Sequence, residues 1–250
     1  MRDRRFGVEI EFDSNGLGRS GVTRILRDAF DKNGLRRWNF LGRMHHDGSD
    51  IELRTPILRG KDGFNKLKIV MDTLYENCDV TKDDGFHVHH DAPEFTYNVD
   101  NCIRLVKSWR ANSHLIYQFV DPYRTNLERE GGHWACPAWT DSHLKEMERK
   151  KLIPNWDRND LNLCALQEHG SIEIRLHEGT LDYFEAESWI KFGQRFIDRV
   201  LKHSIKDSRD ATNLLKKVRV SQDAQKMLID KAKKYGHIPT EESGYHSYYS

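Results

Sequence analysis

The sequence predicts an α+β fold, in which helices pack on the apolar face of a curved, mainly antiparallel sheet. Four short stretches, at residues 6–12, 50–54, 86–91 and 171–177, alternate apolar and ionisable residues. Side chains of a β-strand point alternately to its two faces, so each stretch is expected to be a strand with one apolar and one charged face. Segments with helical spacing of apolar residues separate these strands. A chain of 250 residues can bury a core as one domain with an appendage.

The first half of the chain follows this pattern in order. The strand at 6–12 places Glu9 and Glu11 on one face and its apolar residues on the other. A helix is predicted over 19–33, where Asn33-Gly34 supplies a stop signal. A turn at 47–50 leads into the second charged strand, and a helix over 61–77 is expected to cover the sheet.

The second half begins with the histidine strand, which follows a turn at 83–85. A helix is predicted over 98–117, and residues 121–155 lack periodicity apart from a helix at 141–150. Residues 158–166 are predicted to return as a strand that pairs with 171–177 through a turn at 168–170.

Helices then dominate the C-terminal part of the sequence. One is predicted over 185–203, and two further helical segments run to about residue 234. We therefore divide the chain into a domain at 1–203, a helical C-terminal extension at 204–235 and a flexible tail at 236–250.

Composition excludes several classes of protein. The formal net charge is +1, which gives no reason to expect a nucleic-acid partner. No stretch approaches the run of about 20 apolar residues that a membrane helix requires, and the charged start of the chain leaves no room for the apolar region of a signal peptide. The four cysteines are scattered, so we expect reduced thiols and a cytoplasmic location.

The two glutamates of the first strand are candidate metal ligands. Glu9 and Glu11 sit at i and i+2 of a strand, about 7 Å apart on one face. This spacing allows each carboxylate to bind a different metal ion, and hard cations such as Mg²⁺ prefer oxygen ligands. The alternative is an exposed strand face with two solvated glutamates.

The histidine strand repeats this geometry with imidazoles. His87 and His89 share one face, where His87 could bind a metal while His89 reaches a phosphate, and Asp91 lies at the end of the same face. The alternative for the histidines is one buried and one exposed side chain.

The last strand places Glu173, Arg175 and His177 on one face. An arginine fork matches the oxygens of a phosphoryl group, although an ion pair within the strand is the alternative. If all four strands join one sheet, its charged face is a divalent-metal active site. That face carries Glu9, Glu11, Glu52, His87, His89, Glu173 and Arg175.

These same residues carry a family resemblance. The stretch at 6–12, the Asp-Gly-Ser at 47–49 with Glu52-Leu53, the Gly-x-His-x-His at 85–89 and the Ile-Glu-Ile-Arg at 172–175 with Gly-Thr-Leu at 179–181 resemble the amidoligase family. Its members are predicted ATP-dependent carboxylate–amine ligases of the glutamine synthetase-like superfamily. The resemblance spans about residues 5–192 and implies a glutamine synthetase-like catalytic domain.

The resemblance implies roles for individual residues. Glu9, His87 and Glu173 resemble the ligands of a metal near the transferred phosphoryl group, and Glu11 and Glu52 resemble ligands of a second metal. The superfamily has a third acid at that second metal, for which Asp47 or Asp91 is the candidate here. His89 matches a position near the nucleotide, and Arg175 resembles the phosphate-binding arginine. Arg158 and Asn162 are weaker candidates for nucleotide contacts.

The implied reaction joins a carboxylate to an amine with ATP and Mg²⁺, which Mn²⁺ could replace. The carboxylate substrate is phosphorylated to an acyl phosphate, which the amine then attacks; a peptide or a cell-wall precursor is a candidate substrate. The chain has no Gly-x-x-x-x-Gly-Lys-Ser/Thr loop, so ATP is not held in the P-loop manner. The alternatives are a metal-dependent hydrolase or phosphatase that uses the His/Glu cluster, and a non-catalytic relative that binds a nucleotide or a protein.

Overall fold

The charged stretches of the sequence are neighbours in one sheet. A computed structural model of the chain describes residues 4–36, 38–47, 50–125, 139–153 and 159–238. Within them the strands are β1 (Phe6–Phe12), β2 (Met44–Asp47), β3 (Asp50–Arg54), β4 (Gly85–Asp91), β5 (Leu161–Asn162) and β6 (Ser171–Glu178). They pair antiparallel in the order β2-β3-β1-β4-β6-β5. The predicted α+β class with a mainly antiparallel sheet is confirmed.

Helices account for most of the remaining described chain. They are α1 (Gly18–Lys32), α2 (Gly60–Tyr75), α3 (Pro93–Thr96), α4 (Val99–Ile116), α5 (Pro122–Thr125), α6 (Asp141–Lys150), α7 (Ala165–His169), α8 (Tyr183–Lys202), α9 (Ala211–Val218) and α10 (Gln222–Lys234). The five long helices predicted from the sequence correspond to α1, α2, α4, α6 and α8. No helix in the described ranges combines the length and the apolar character needed to cross a membrane.

The apolar face of the sheet packs against α8. This helix begins where the Asp182 carboxylate accepts hydrogen bonds from the backbone N–H groups of Phe184 and Glu185. Its buried side chains include Trp189, Ile190, Phe192, Phe196, Ile197 and Val200. Each such side chain stabilises the fold by about 1.5–3 kcal/mol. A Cβ on Gly193 would lie 2.9 Å from Cδ1 of Ile174, so glycine permits the close approach of helix and sheet.

One irregularity changes the predicted face of His177. Between β4 and β6 the register shifts, with Val88 opposite Ile174 but Phe86 opposite His177, so β6 carries an extra residue there. The prediction that His177 shares the charged face is therefore wrong. Its fully buried ring packs on the apolar side, with its centroid 5.9 Å from that of Phe86 and 5.2 Å from that of Trp189.

The strand predicted at 158–166 is shorter than expected. Among the described residues 159–166, the strand that pairs with β6 is Leu161–Asn162, because the Asn162 side chain then accepts a hydrogen bond from the backbone N–H of Cys164 and the chain turns into α7. Gly170 ends this helix with a φ of 66°. The strand β2 was not predicted, since its sequence, Met-His-His-Asp, has no apolar alternation.

The C-terminal helices share the hydrophobic core of the sheet domain. Residues of α9 and α10 such as Leu214, Leu228 and Ala232 are fully buried within it. The domain boundaries stay a prediction. Of the tail at 236–250, only residues 236–238 lie within the described part of the chain.

Candidate active site

Neighbouring strands bring the predicted ionisable residues together on the face of the sheet opposite α8, which we call the front face. Antiparallel register fixes which side chains are adjacent across strands. The cross-strand pairs are Glu9 with Arg54, Glu11 with Glu52, Glu9 with His87, and His89 with Glu173.

At the centre of the front face, Glu9, His87 and Glu173 form a compact cluster. Nδ1 of His87 lies 3.3 Å from Oε2 of Glu9 and 3.8 Å from Oε1 of Glu173. One potential ligand atom from each residue lies within 4.8 Å of the other two. The side chains of His87 and Glu173 are only 4% and 5% exposed. Two carboxylates and an imidazole so close together could hold a divalent cation.

His89 belongs to the same cluster. Its Nε2 lies 3.5 Å from Oε1 of Glu9 and 3.7 Å from Oε1 of Glu173, while Nδ1 lies 3.1 Å from the Ser171 hydroxyl. Burial alone would lower the pKa of His89, but the two carboxylates outweigh it and raise the pKa. Burial alone would raise the pKa of Glu9, yet the hydrogen bonds and charges of His87 and His89 hold it well below its usual range.

Glu173 is held from both sides. Nη1 of Arg175 donates to its Oε1 at 2.7 Å, and the Asn162 amide donates to its Oε2 at 2.6 Å. The ion pair within the strand, considered as the alternative role of Arg175, is thus present. Asn162 orients a cluster carboxylate in this arrangement. Its role toward a nucleotide stays a prediction, and Arg158 lies outside the described residues.

Glu11 and Glu52 are adjacent to this cluster but engage other partners. Oε2 of Glu11 accepts a hydrogen bond of 2.5 Å from the backbone N–H of Gly85. Glu52 forms an ion pair with the guanidinium of Arg54, whose Nε also lies 3.3 Å from Oε1 of Glu9.

Asp91 and Asp47 are the two candidates for a third acidic ligand of the second metal. Asp91 pairs with Arg5 at the end of β4, with 3.0 Å between Oδ2 and Nε. The side chain of Asp47 lies outside the described part of the structure.

Sequence reasoning missed Arg124, which reaches the front face from α5. Arg124 is buried, with a relative exposure of 6%. Its Nη2 donates a hydrogen bond of 3.3 Å to the backbone carbonyl of Arg175. A Cβ on Gly85 would lie 2.6 Å from Nε2 of His87, 3.0 Å from Nη2 of Arg124 and 3.2 Å from Oε2 of Glu11. Three polar side chains thus converge beside Gly85. No periodic pattern marks residues 121–125, so only the folded chain reveals Arg124.

A cavity of about 450 Å³ opens at the other end of the front face. Glu9 and His89 line it on the cluster side, and Gly7, Arg43 and Ile57 are among its other lining residues. Its volume lies in the range of small-molecule sites. A Cβ on Gly7 would meet no atom within 4 Å, so this position faces open space in the cavity.

Fold and site together define an α+β protein whose antiparallel sheet carries a carboxylate–imidazole cluster beside an arginine. A family model described as "Putative amidoligase enzyme" matches residues 44–197. The match covers more than half of the chain. The chain therefore belongs to this family, and the family resemblance of its sequence is confirmed. Membership supports an enzyme of the ligase class. No protein of curated function matches the chain.

The matched segment contains three of the four charged strands. Glu52, His87 and Glu173 lie within it, whereas Glu9 and Glu11 on β1 precede it. The pairing of β1 with β3 and β4 brings these two glutamates to the matched residues.

Proposed function

We propose that this protein is an ATP- and Mg²⁺-dependent carboxylate–amine ligase that forms an amide through an acyl phosphate. The observation that carries the proposal is the convergence of Glu9, His87 and Glu173 on one point of the front face, with Arg175 bound to Glu173. The ligase class of the family supports it.

The central cluster suits the proposed metal. Carboxylate oxygens are the preferred ligands of Mg²⁺, and the single imidazole also suits Mn²⁺. Glu9, His87 and Glu173 would hold the ion. When bound, it would neutralise phosphate charge during phosphoryl transfer. His87 is buried and Asn162 and Arg175 hold Glu173, so the protein presents these ligands in a fixed arrangement.

The cavity at the Gly7 end offers room for the nucleotide. His89 lines it beside the cluster, and this position supports the proposal that His89 lies near the nucleotide. Arg43 also lines it, and the one hydrogen bond that its side chain makes within the described residues is a 3.3 Å contact from Nη1 to the Thr55 carbonyl. The guanidinium of Arg43 forms no ion pair with a described carboxylate, and its charge would suit a polyphosphate.

The proposed reaction has two steps. An oxygen of the substrate carboxylate attacks the γ-phosphorus, the bond to the β,γ-bridging oxygen breaks, and ADP leaves. The amine nitrogen then attacks the acyl carbon, phosphate leaves, and the amine loses a proton. Arg175 would stabilise charge on the transferred phosphoryl group, which mainly requires positioning and electrostatic stabilisation. The acid and the amine stay unspecified, with peptides and cell-wall precursors as candidates, and the cytoplasmic location stays a prediction.

The test is an ADP-release assay with ATP, Mg²⁺ and panels of carboxylic acids. Hydroxylamine can serve as the amine, because it traps acyl phosphates as hydroxamates whatever the natural acceptor is. Glu9→Gln and Arg175→Ala should abolish release, while Glu76→Gln, a change at an exposed carboxylate at the C-terminal end of α2, should not. Unchanged ADP release in Glu9→Gln or Arg175→Ala would refute the proposal.

A metal-dependent hydrolase is the second candidate. The observation that favours it is His89, which gives the cluster a second imidazole within 3.7 Å of both Glu9 and Glu173. Such a site would bind Zn²⁺ or Mn²⁺ and hydrolyse its substrate without ATP. Turnover that is independent of ATP and lost in His89→Ala would favour this candidate over the ligase, and no turnover of any kind would favour a non-catalytic relative.

A further inference from the structure

The front face carries two sets of carboxylates, and only one of them is arranged for a metal. Glu9 and Glu173 converge with His87, whereas the described residues around Glu11 and Glu52 form no comparable group of three ligands. The second-metal site implied by the family resemblance therefore does not fit the described side chains.

Arginines occupy the positions where a second cation would neutralise charge. The guanidinium of Arg54 forms an ion pair with Glu52 and lies 3.3 Å from Glu9. Burial alone would lower the pKa of Arg54, but these carboxylates raise it above its usual value. Arg54 is half exposed, so this ion pair forms from the solvent side of the sheet.

Arg124 lies near the other carboxylate, Glu11, in the protein interior, and no ion pair joins the two among the described residues. Its Nη2 and Oε2 of Glu11 lie 3.0 and 3.2 Å from the same point beside Gly85. Its Nη groups donate to backbone carbonyls, of which those of Asp84 and Arg175 lie at 3.4 and 3.3 Å, and its buried Nε has no hydrogen-bond partner among the described residues. Burial lowers the pKa of Arg124, and the charges of Glu11, Glu178 and Asp84 offset part of this effect, with Glu11 the largest of the three.

Two described acids that could complete a second metal site, Asp91 and Asp84, have other roles, while the side chain of Asp47 lies outside the described part of the structure. Asp91 pairs with Arg5. Asp84 is buried, and its Oδ2 accepts a hydrogen bond of 2.6 Å from the backbone N–H of Thr81, which closes the turn before β4.

A side-chain cation also lies within a second cluster of potential metal ligands. His177, Glu178 and Glu185 form a second group of three potential ligands, and the Lys231 ammonium lies among them, 2.9 Å from Nε2 of His177 and in ion pairs with both glutamates. Here too a side-chain cation stands where a metal could bind.

We infer that this protein binds a single catalytic metal ion, at Glu9–His87–Glu173, and that Arg54 and Arg124 are resident cations that replace a second ion at Glu52 and Glu11. In this role Arg54 is a positioning residue, since it fixes the carboxylate of Glu52, and Arg124 acts through its charge near Glu11. The inference rests on the proposed metal-dependent function but concerns stoichiometry, which can be measured without turnover.

The experiment is a titration of the full-length protein with Mn²⁺, in which electron paramagnetic resonance measures the free ion. We expect one tightly bound ion per chain, the loss of this ion in Glu173→Gln, and its retention in Glu52→Gln. Arg54→Gln, which leaves Glu52 without its cation, should bind a second ion more weakly than the first. Arg27→Gln removes the same charge from an exposed position of α1 and should bind one ion.

The number of Mn²⁺ ions bound by the wild type and by each variant supports or refutes the inference. Two ions in the wild-type protein, the second lost in Glu52→Gln, would overturn it, as would no bound ion. One ion in both the wild type and Arg54→Gln would overturn the role of Arg54. Failure of the proposed ligase function is distinguishable, because ADP release can be absent while one Mn²⁺ ion remains bound at Glu173.

Discussion

The carboxylate of Glu9 and the imidazole of His87 face each other across β1 and β4, with 3.3 Å between Oε2 and Nδ1. This pair joins a strand that precedes the family-matched segment to a strand within it. Glu173 enters from β6, so the candidate metal site depends on three strands keeping their register.

Metal binding should stabilise the native protein, because the unfolded chain does not assemble this site. At a free Mn²⁺ concentration about 100 times the Kd, linkage predicts a gain of about 2.7 kcal/mol in the free energy of unfolding. Urea denaturation with and without Mn²⁺ measures this gain. Glu9→Gln should lose it and Glu76→Gln should keep it; an equal gain in both variants would place the ion elsewhere.

Gly85→Ala should disrupt the site without unfolding the protein. The added Cβ would lie 2.6 Å from Nε2 of His87 and 3.0 Å from Nη2 of Arg124, so both side chains must move. We expect the affinity for Mn²⁺ to fall by at least about tenfold, as for changes that misplace a ligand. The matched control is Gly7→Ala, whose Cβ meets nothing within 4 Å and should leave Mn²⁺ affinity unchanged. Equal Mn²⁺ affinities of Gly85→Ala and Gly7→Ala would contradict the close packing of side chains beside Gly85.

Lys231→Met should destabilise the fold by about 3–5 kcal/mol, because it leaves the partly buried carboxylates of Glu178 and Glu185 without their cation. Burial alone would raise the pKa of Glu178, but His177 and Lys231 hold it below its usual range. Adding Glu178→Gln to this variant should restore part of the lost stability, since it removes one of the unpaired charges. Urea denaturation measures the free energies of unfolding; additive losses in the double variant would argue against coupling of the two residues.

His90 should make stability depend on pH. Its ring is fully buried on the apolar side of the sheet, and neither nitrogen has a hydrogen-bond partner among the described residues. Burial, with smaller contributions from the charges of Arg4 and His89, lowers its pKa from 6.5 to about 3.

At a pH between about 3 and 6.5, His90 binds a proton in the unfolded chain but not in the native protein. Below about pH 6.5, stability should therefore fall with decreasing pH, by up to about 1.4 kcal/mol per pH unit, until about pH 3. His90→Leu should remove this part of the slope, and His203→Leu, at an exposed histidine, should not. Thermal denaturation across this pH range compares the three proteins, and identical slopes would show that His90 does not titrate as described.

The sequence by itself determined which residues form the charged face. A period of two is a local property of a strand, so the positions of Glu9, Glu11, His87 and Glu173 followed from alternation, and the family followed from their order. The long amphipathic helices were predictable for the same reason, because their periodicity lies within one segment.

Tertiary structure decided what local patterns do not encode. The bulge in β6 depends on the register against β4, and it turns His177 from the predicted charged face to the apolar side. Arg124 enters the site from a segment without periodicity. The approach of Arg54 to Glu9 across β3 and β1, and the position of Arg124 near Glu11, depend on how strands and helices approach one another. Alternation therefore predicted the acids of the site, while long-range packing brought Arg124 to them.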